Sequence, residues 1–88
     1  MKTGDIIRVI WTDARYVAGW MDHNEVSVET KSPCATIVSA GLLVAKTKTA
    51  LIITRGISEH GYFEGCLEIP LAVIKKTKIL EKSMVNTL

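Results

Sequence analysis

The 88-residue sequence lacks most of the features that would assign an activity to it. It has two cysteines, Cys34 and Cys66, which are too few for a disulfide scaffold and predict reduced thiols in a cytoplasmic protein. No apolar run approaches the roughly 20 residues of a membrane span, and residues 1–5 include an acid where the apolar core of a signal peptide would begin. Internal repeats, catalytic motifs and cofactor motifs are absent, so the sequence predicts neither an enzyme nor a bound cofactor.

Charge of one sign is also scarce. The net charge of +2 is too small to indicate a nucleic-acid-binding protein by itself. Residues 1–33 hold four basic and five acidic side chains, whereas residues 34–88 hold seven basic and four acidic ones. This bias is a weak indication of an anionic partner, and a solvated strand face is the simpler interpretation. With 48% hydrophobic and 23% charged residues, the composition predicts one globular domain at residues 1–80 and a frayed tail at 81–88.

Short β-rich runs separated by turn residues dominate what is present. We predict strands at residues 5–13, 35–46, 50–54, 66–70 and 74–80, a hairpin break at 46–49, a flexible loop at 56–65 and a helical turn at 71–73. Residues 25–31 alternate, which favours a short strand; a helical turn starting near Asp22 or Asn24 is the alternative. Gly41, in mid-strand, predicts a bend, a bulge or the close approach of another backbone. The predicted fold class is all-β, a small SH3-like or Sm-like barrel of about five antiparallel strands.

Apolar residues occupy more than one face of this sheet. In the first strand, the better core face is formed by Ile7, Val9 and Trp11. In the strand at 35–46, an unbroken apolar face is formed by Val38, Ala40, Leu42 and Val44. Strands 5–13 and 50–54 are apolar on both faces, whereas a small antiparallel sheet buries one. The excess predicts a homo-oligomer formed by edge pairing or face packing.

Aromatic side chains in two loops are the candidates for binding. Rings beside a basic residue stack bases or nucleotides, and loops carry function more often than strands do. The predicted ligand-binding residues are Arg15, Tyr16, Trp20, His60, Tyr62 and Phe63. Trp20 follows Gly19 and precedes a polar stretch, which predicts partial exposure at the rim of the barrel or at a subunit interface. A buried plug at the end of the barrel is the alternative.

Cys34 is interpreted as a small buried thiol. A nucleophilic cysteine needs a base and an electropositive setting, and no spacing motif links Cys34 to His23 or His60. The histidines, cysteines and acids also lack the paired spacing of a metal site. We therefore predict no catalytic and no metal-ligating residues.

The last strand is flanked by three lysines. Alternation places Lys76 and Lys78 on one face and Lys75 on the other. A phosphate-binding strip would have them together. The favoured interpretation is that they protect an edge strand against aggregation.

Five short motifs follow one another along the chain: Val9-x-Trp11-x-Asp13, Gly19-Trp20, Pro33-Cys34, Gly41-x-Leu43-Val44 and Ile69-Pro70-x-x-x-Ile74. Over most of residues 7–80 they resemble a family of small uncharacterised bacteriophage and prophage proteins. The closing segment at 69–75 also resembles the end of an Sm-like or SH3-like barrel. Residues 46–49 lack the Asp and Asn pair with which Sm-like barrels contact RNA, which argues against RNA binding of that type. The resemblance implies a phage gene product acting inside a host cell and implies no established activity.

These observations predict a non-enzymatic phage or prophage binding protein in the host cytoplasm. Its expected partner is a host protein, or a nucleotide or nucleic acid held by the aromatic loops. The alternative is a structural or assembly protein that forms homo-oligomers or binds another phage protein. The two hypotheses stay open at this point, as does the number of subunits.

Overall fold

The structure, a computed structural model, describes residues 1–14, 19–29 and 34–83. Their elements in chain order are β1 (Ile6–Thr12), α1 (His23–Glu29), β2 (Thr36–Lys46), β3 (Ala50–Thr54), β4 (Gly56–Ile57), β5 (Phe63–Glu64), β6 (Leu67–Pro70), a 3-10 turn (Leu71–Val73) and β7 (Ile74–Glu81). The predicted all-β class is confirmed, since helix within the described residues is confined to α1 and the 3-10 turn. None of the described helices is long and apolar enough to cross a membrane.

Five strands form one antiparallel sheet in the order β6-β3-β2-β1-β7. Strand β2 changes partner along its length: residues 36–42 pair with β1, and residues from Leu42 onward pair with β3. Strand β7 returns to pair with β1. Strands β6 and β7 are its two outer members, and no ladder joins them within the described residues. The sheet is therefore antiparallel, and no backbone pairing among the described residues closes it.

Gly41 lies where β2 changes partner. A Cβ atom at this position would lie 2.9 Å from the carbonyl oxygen of Thr54 and 3.3 Å from the Cβ of Ile53. The predicted close approach of another backbone is confirmed, because the end of β3 crosses β2 at a distance that no other residue type accommodates without a shift. This crossing bends the sheet over its own core.

The core lies on the concave side of the bend. Its buried members are Ile7, Val9, Leu43, Leu51, Ile53 and Ile69. The predicted core face of β1 is confirmed, and half-buried Trp11 extends it by donating a hydrogen bond from Nε1 to Ser39 Oγ at 3.0 Å. Ile7 lies opposite Gly41 and Val9 opposite Ser39, so large side chains of β1 meet small ones of β2.

The unbroken apolar face of β2 lies on the outside of the sheet. Val38 is 63% exposed, Ala40 is exposed, and Leu42 and Val44 are half-buried. The register explains this placement, because the residues of β2 that lie opposite Ile7 and Val9 occupy the inner face. The outer face consequently carries apolar side chains that the single chain leaves partly uncovered.

The favoured strand at residues 25–31 is wrong, and the helical alternative is correct. Asp22 caps α1: its Oδ1 accepts the Glu25 N–H at 2.8 Å, and its carbonyl oxygen accepts the Val26 N–H at 3.0 Å. Alternating residues form a strand when a neighbouring strand edge is available, and no described strand pairs with this segment. Local capping therefore decides the outcome. Residues 30–31 lie outside the described part of the chain.

The predicted flexible loop at 56–65 contains a hydrogen-bonded hairpin of β4 and β5. The Arg55 N–H donates to the Glu64 carbonyl at 3.0 Å, and the Ser58 N–H donates to that of Tyr62 at 2.9 Å. The Thr54 hydroxyl also bonds the Glu64 carbonyl, which attaches the hairpin to the end of β3. Glycines at 61 and 65 take positive φ, which turns the chain inside this short segment.

Through its carboxylate, Asp5 binds one backbone group near the start of the described chain and one near its end. Its carboxylate is buried and accepts backbone N–H groups from Ser83 at 2.7 Å and from Lys2 at 2.9 Å. The bond from Ser83, followed by that from Lys2, holds the pKa of Asp5 below its ordinary value, because both bonds favour the ionised form. The first residues of the predicted tail are thereby tied to β1, and residues 84–88 lie outside the described part of the chain.

Candidate functional site

The described aromatic candidates are all exposed. The exposed fraction is complete for Trp20, 76% for Tyr62 and 46% for Phe63, and His60 is exposed as well. Trp20 therefore does not plug an end of the sheet. Arg15 and Tyr16 lie outside the described residues.

The two aromatic loops leave the sheet at different points along the β1–β2 ladder. This ladder runs from Thr12 opposite Thr36 to Ile6 opposite Leu42, a span of roughly 20 Å. Trp20 follows β1 and belongs to the first end, whereas the β4–β5 hairpin follows Thr54, which lies opposite Leu42 at the second. The shallow cavity beside Tyr62 and Phe63 is lined by hairpin residues alone, so the described candidates do not converge on a single site.

The outer face of β1 and β7 instead brings cations together. Arg8 lies opposite Lys78, and Ile10 lies opposite Lys76. The ladder then skips a residue, since Trp11 lies opposite Ile74, and Lys75 is the extra residue of a β-bulge.

The bulge changes the face on which Lys75 lies. Lys75 Nζ donates to the hydroxyl of Thr36 at 3.2 Å, and Thr36 belongs to the same outer face as Arg8 and Ile10. The prediction that Lys75 lies on the face opposite Lys76 is therefore wrong. Strict alternation fails here because two residues of β7 occupy the place of one.

The resulting basic face consists of Arg8, Lys75, Lys76 and Lys78. Arg8 is half-buried and the three lysines are exposed. The ion pairs found in the described part of the chain, Arg55–Glu64 and Glu59–His60, involve none of these four. The nearest acid along the ladder is Glu81, opposite Ile6 at the end of β1. Among the described residues, therefore, no acid compensates the positive charge of this face. Like charges that lie directly opposite in a sheet are destabilising.

Apolar side chains lie beside these cations. Ile10 and Val38 are direct neighbours across the β1–β2 ladder, and Ala40 lies opposite Arg8. With Val38 63% exposed, the outer face joins a basic strip on β7 to an apolar strip on β2. Such a surface can hold phosphate groups on one side and uncharged rings or sugars on the other.

The sequence patterns identify the lysines as candidates but do not identify Arg8. Arg8 and Ile10 are spaced two residues apart, as are Lys76 and Lys78. This equal spacing places the four residues in opposite pairs on one face once the last strand lies beside the first. The bulge at Lys75 depends on the register of that pairing, which the spacing does not give.

A second concave surface lies at the end of β3. Arg55 extends over Gly65, where a Cβ atom would lie 2.6 Å from Arg55 Nε, and its guanidinium bonds Glu64 Oε1 at 3.2 Å. Ile53 and Leu67, which is 39% exposed, supply its apolar wall. Because Arg55 is already paired, this surface presents apolar side chains rather than free charge.

Cys34 and Cys66 are free and exposed, so the interpretation of Cys34 as a buried thiol is wrong. Cys34 precedes the last β1–β2 pair, Thr12 with Thr36, where the sheet no longer covers the chain. Across the described residues, no group of three or more His, Cys, Asp or Glu side chains could hold a metal ion.

No family model, curated protein or solved structure matches this chain. The resemblance to phage and prophage proteins stays a prediction.

Proposed function

We propose that the chain is a non-enzymatic binding protein that holds single-stranded nucleic acid on the outer face of β7, β1 and β2. The observation that carries this proposal is the gathering of Arg8, Lys75, Lys76 and Lys78 on one face, with no acidic partner among the described residues. Phosphate contacts by lysine and arginine supply most of the affinity in such complexes.

The spacing of the cations favours a polymer over an isolated phosphate. Lys76 and Lys78 are two residues apart on β7, roughly 7 Å along the strand, and Arg8 lies roughly 5 Å away on β1. A single phosphate needs donors that converge on one point. Cations spread along a strand instead suit successive phosphates of a chain.

The apolar strip favours a single strand over a duplex. Ile10 and Val38 lie beside the cations and offer a surface to uncharged base faces. Bases of a single strand are free to cover such a surface, whereas those of a duplex are stacked upon one another. The segment that carries Trp20 follows the end of β1, near the point at which Lys75 bonds Thr36. We propose that the exposed ring of Trp20 adds a stacking contact.

The proposal also includes an SH3-like or Sm-like barrel architecture and a phage or prophage origin. The return of β7 to β1 after a 3-10 turn supports an SH3-like or Sm-like barrel. The proposed surface differs from the RNA-contacting loops of Sm-like proteins, whose Asp and Asn pair is missing here. A phage or prophage protein acting in the host cytoplasm is proposed from the motif resemblance.

Fluorescence anisotropy with a labelled single-stranded oligonucleotide at low salt tests this function. Lys76→Glu should weaken binding at least about tenfold, equivalent to about 1.4 kcal/mol. Lys48→Glu is the matched control, since it makes the same charge change at the exposed β2–β3 turn, and it should weaken binding less. A duplex of the same sequence should bind more weakly than the single strand. Absence of binding, or equal losses in the two variants, would contradict the proposal.

A further inference from the structure

The sheet has two protected edges and an unprotected one. The edge of β7 carries three lysines and two irregularities of register, and β6 is a short strand that ends at Pro70, which has no N–H. Charges, bulges and proline are the devices by which proteins protect edge strands from pairing. The first half of β2, residues 36–40, contains neither a charge nor a proline.

The backbone of this segment is directed outward from the sheet. Leu43 N–H donates to the Asp5 carbonyl at 2.8 Å, and Asp13 N–H donates to that of Ala35 at 2.9 Å, so the odd-numbered residues of β2 bond β1. By the alternation of an antiparallel ladder, Thr36, Val38 and Ala40 point their N–H and C=O groups away from β1. Strand β3 pairs with β2 only from Leu42 onward, and no described strand other than β1 forms a ladder with residues 36–40. Strand β4 approaches β2 without pairing with it, and Arg55 and Gly65 lie across a shallow cavity from Ala40.

We infer that this edge pairs with the same edge of a second copy of the chain, antiparallel about a two-fold axis at Val38. In this register Val38 lies opposite Val38 of the other copy, and Thr36 lies opposite Ala40. The interface is self-complementary, as a two-fold interface must be. The inference does not require the proposed nucleic-acid binding, although both involve Val38.

The length of the open edge fixes the register. Pairing centred on Val38 uses the outward groups of all three even-numbered residues in both copies. A shift of two residues in either direction loses one of these pairs or brings the second copy onto Leu42, which is already bonded to Thr54. Thr36 is the first residue of the ladder in each copy, because β2 begins there.

The chemistry of the edge favours a second copy over a foreign peptide. Residues 36–40 are themselves uncharged, and in this register they are self-complementary. The flanking cations Arg8 and Lys75 lie on the outer face rather than on the edge, and salt screens their repulsion across the two-fold axis. Ile10 and Val38 are neighbours, so pairing at Val38 joins these side chains of both copies into one apolar row. In that row each Val38, which is 63% exposed in the single chain, gains an apolar neighbour on the same outer face.

Light scattering from micromolar to millimolar concentration tests the inference. The wild-type chain should approach the mass of a dimer. Val38→Pro removes an N–H that faces the open edge and no bond to β1, so this variant should stay a monomer with an unchanged β-sheet circular dichroism spectrum. Val38→Thr keeps the N–H and the β-branched side chain, and should still dimerise. A wild-type monomer at every concentration, or a dimer of Val38→Pro, would overturn the inference.

A crosslink provides a second measurement that does not depend on the folding of the proline variant. Residues that exchange both backbone bonds have Cα atoms roughly 5.5 Å apart, which suits a disulfide. With Cys34 and Cys66 both changed to serine, Val38→Cys should form a covalent dimer under mild oxidation, and Thr77→Cys, on the inner face of β7, should not. Failure of Val38→Cys to crosslink more than this control would contradict the two-fold register.

Discussion

Arg8 and Lys78 lie directly opposite each other in the β1–β7 ladder, so two positive charges face one another on the outer surface of the sheet. Opposite charges at such a position contribute roughly 0.2–1 kcal/mol, and like charges oppose folding. Lys76 lies one pair further along the same face and adds to the repulsion. A sheet that served stability alone would place an acid there. The proposed nucleic-acid ligand would relieve this repulsion on binding.

Lys78→Glu should therefore stabilise the protein while it weakens nucleic-acid binding. The substitution turns a like-charge pair into an ion pair with Arg8, and unfolding by urea should show a gain of roughly 0.5–1 kcal/mol at low salt. Lys78→Gln removes the repulsion without adding attraction and should give a smaller gain. A loss of stability in Lys78→Glu, or unchanged oligonucleotide affinity, would contradict the role assigned to this pair.

Gly41→Ala should destabilise the fold. The added Cβ would meet the Thr54 carbonyl at 2.9 Å, and this backbone atom cannot move without disturbing the β2–β3 ladder. The expected loss is roughly 1–3 kcal/mol in chemical denaturation. Gly56→Ala is the control, since its Cβ meets no atom within 4 Å, and its effect should stay within about 0.5 kcal/mol. Equal effects of the two changes would show that β3 does not cross β2 closely at Gly41.

The two tryptophans should separate in fluorescence and in stability. Trp20 is fully exposed, so Trp20→Ala should change the unfolding free energy by less than about 0.5 kcal/mol. Trp11→Phe deletes the hydrogen bond to Ser39 and should cost roughly 0.5–1.5 kcal/mol. Acrylamide should quench Trp11→Phe, which retains Trp20, more strongly than Trp20→Ala. The opposite order of quenching would place Trp20 inside the structure.

Asp5 should make the fold sensitive to acid. Its pKa is lower in the folded chain than in the unfolded one, because the Ser83 and Lys2 N–H groups bond its ionised form. Its stabilising contribution is therefore complete above the unfolded pKa and is lost as the pH falls through the folded pKa. Asp5→Asn should lower stability at neutral pH and flatten the acid limb of the stability profile. An acid limb identical to that of the wild type would show that Asp5 does not control it.

Much of the fold follows from local sequence patterns. The strands at β1, β2, β3 and β6 and the turn at 71–73 match the predicted ones to within a residue or two, because alternation and turn residues act locally. The core face of β1 follows from the size of Ile7, Val9 and Trp11. Gly41 was identifiable because a glycine in mid-strand indicates a close approach.

The candidate site depended on relationships between distant parts of the chain. Lys75 changes face through a bulge that exists only in the register between the first and last strands. Arg8 acquires its importance from a lysine 70 positions away in the sequence. Cys34 is exposed because β1 ends too early to cover it. None of these outcomes is written in a local pattern. Helix α1 differs, because its Asp22 cap is a local signal that predicts the helical alternative.

The salt dependence of single-strand affinity tests the central claim most directly. If Arg8, Lys75, Lys76 and Lys78 each contact a phosphate, the logarithm of the association constant should fall with the logarithm of salt concentration at a slope of about −3, since each contact contributes about −0.7. Changing the three lysines to glutamine should reduce the slope to about −0.7 while circular dichroism shows the same sheet. An unchanged slope in that variant, or no measurable binding by the wild type at low salt, would contradict the account.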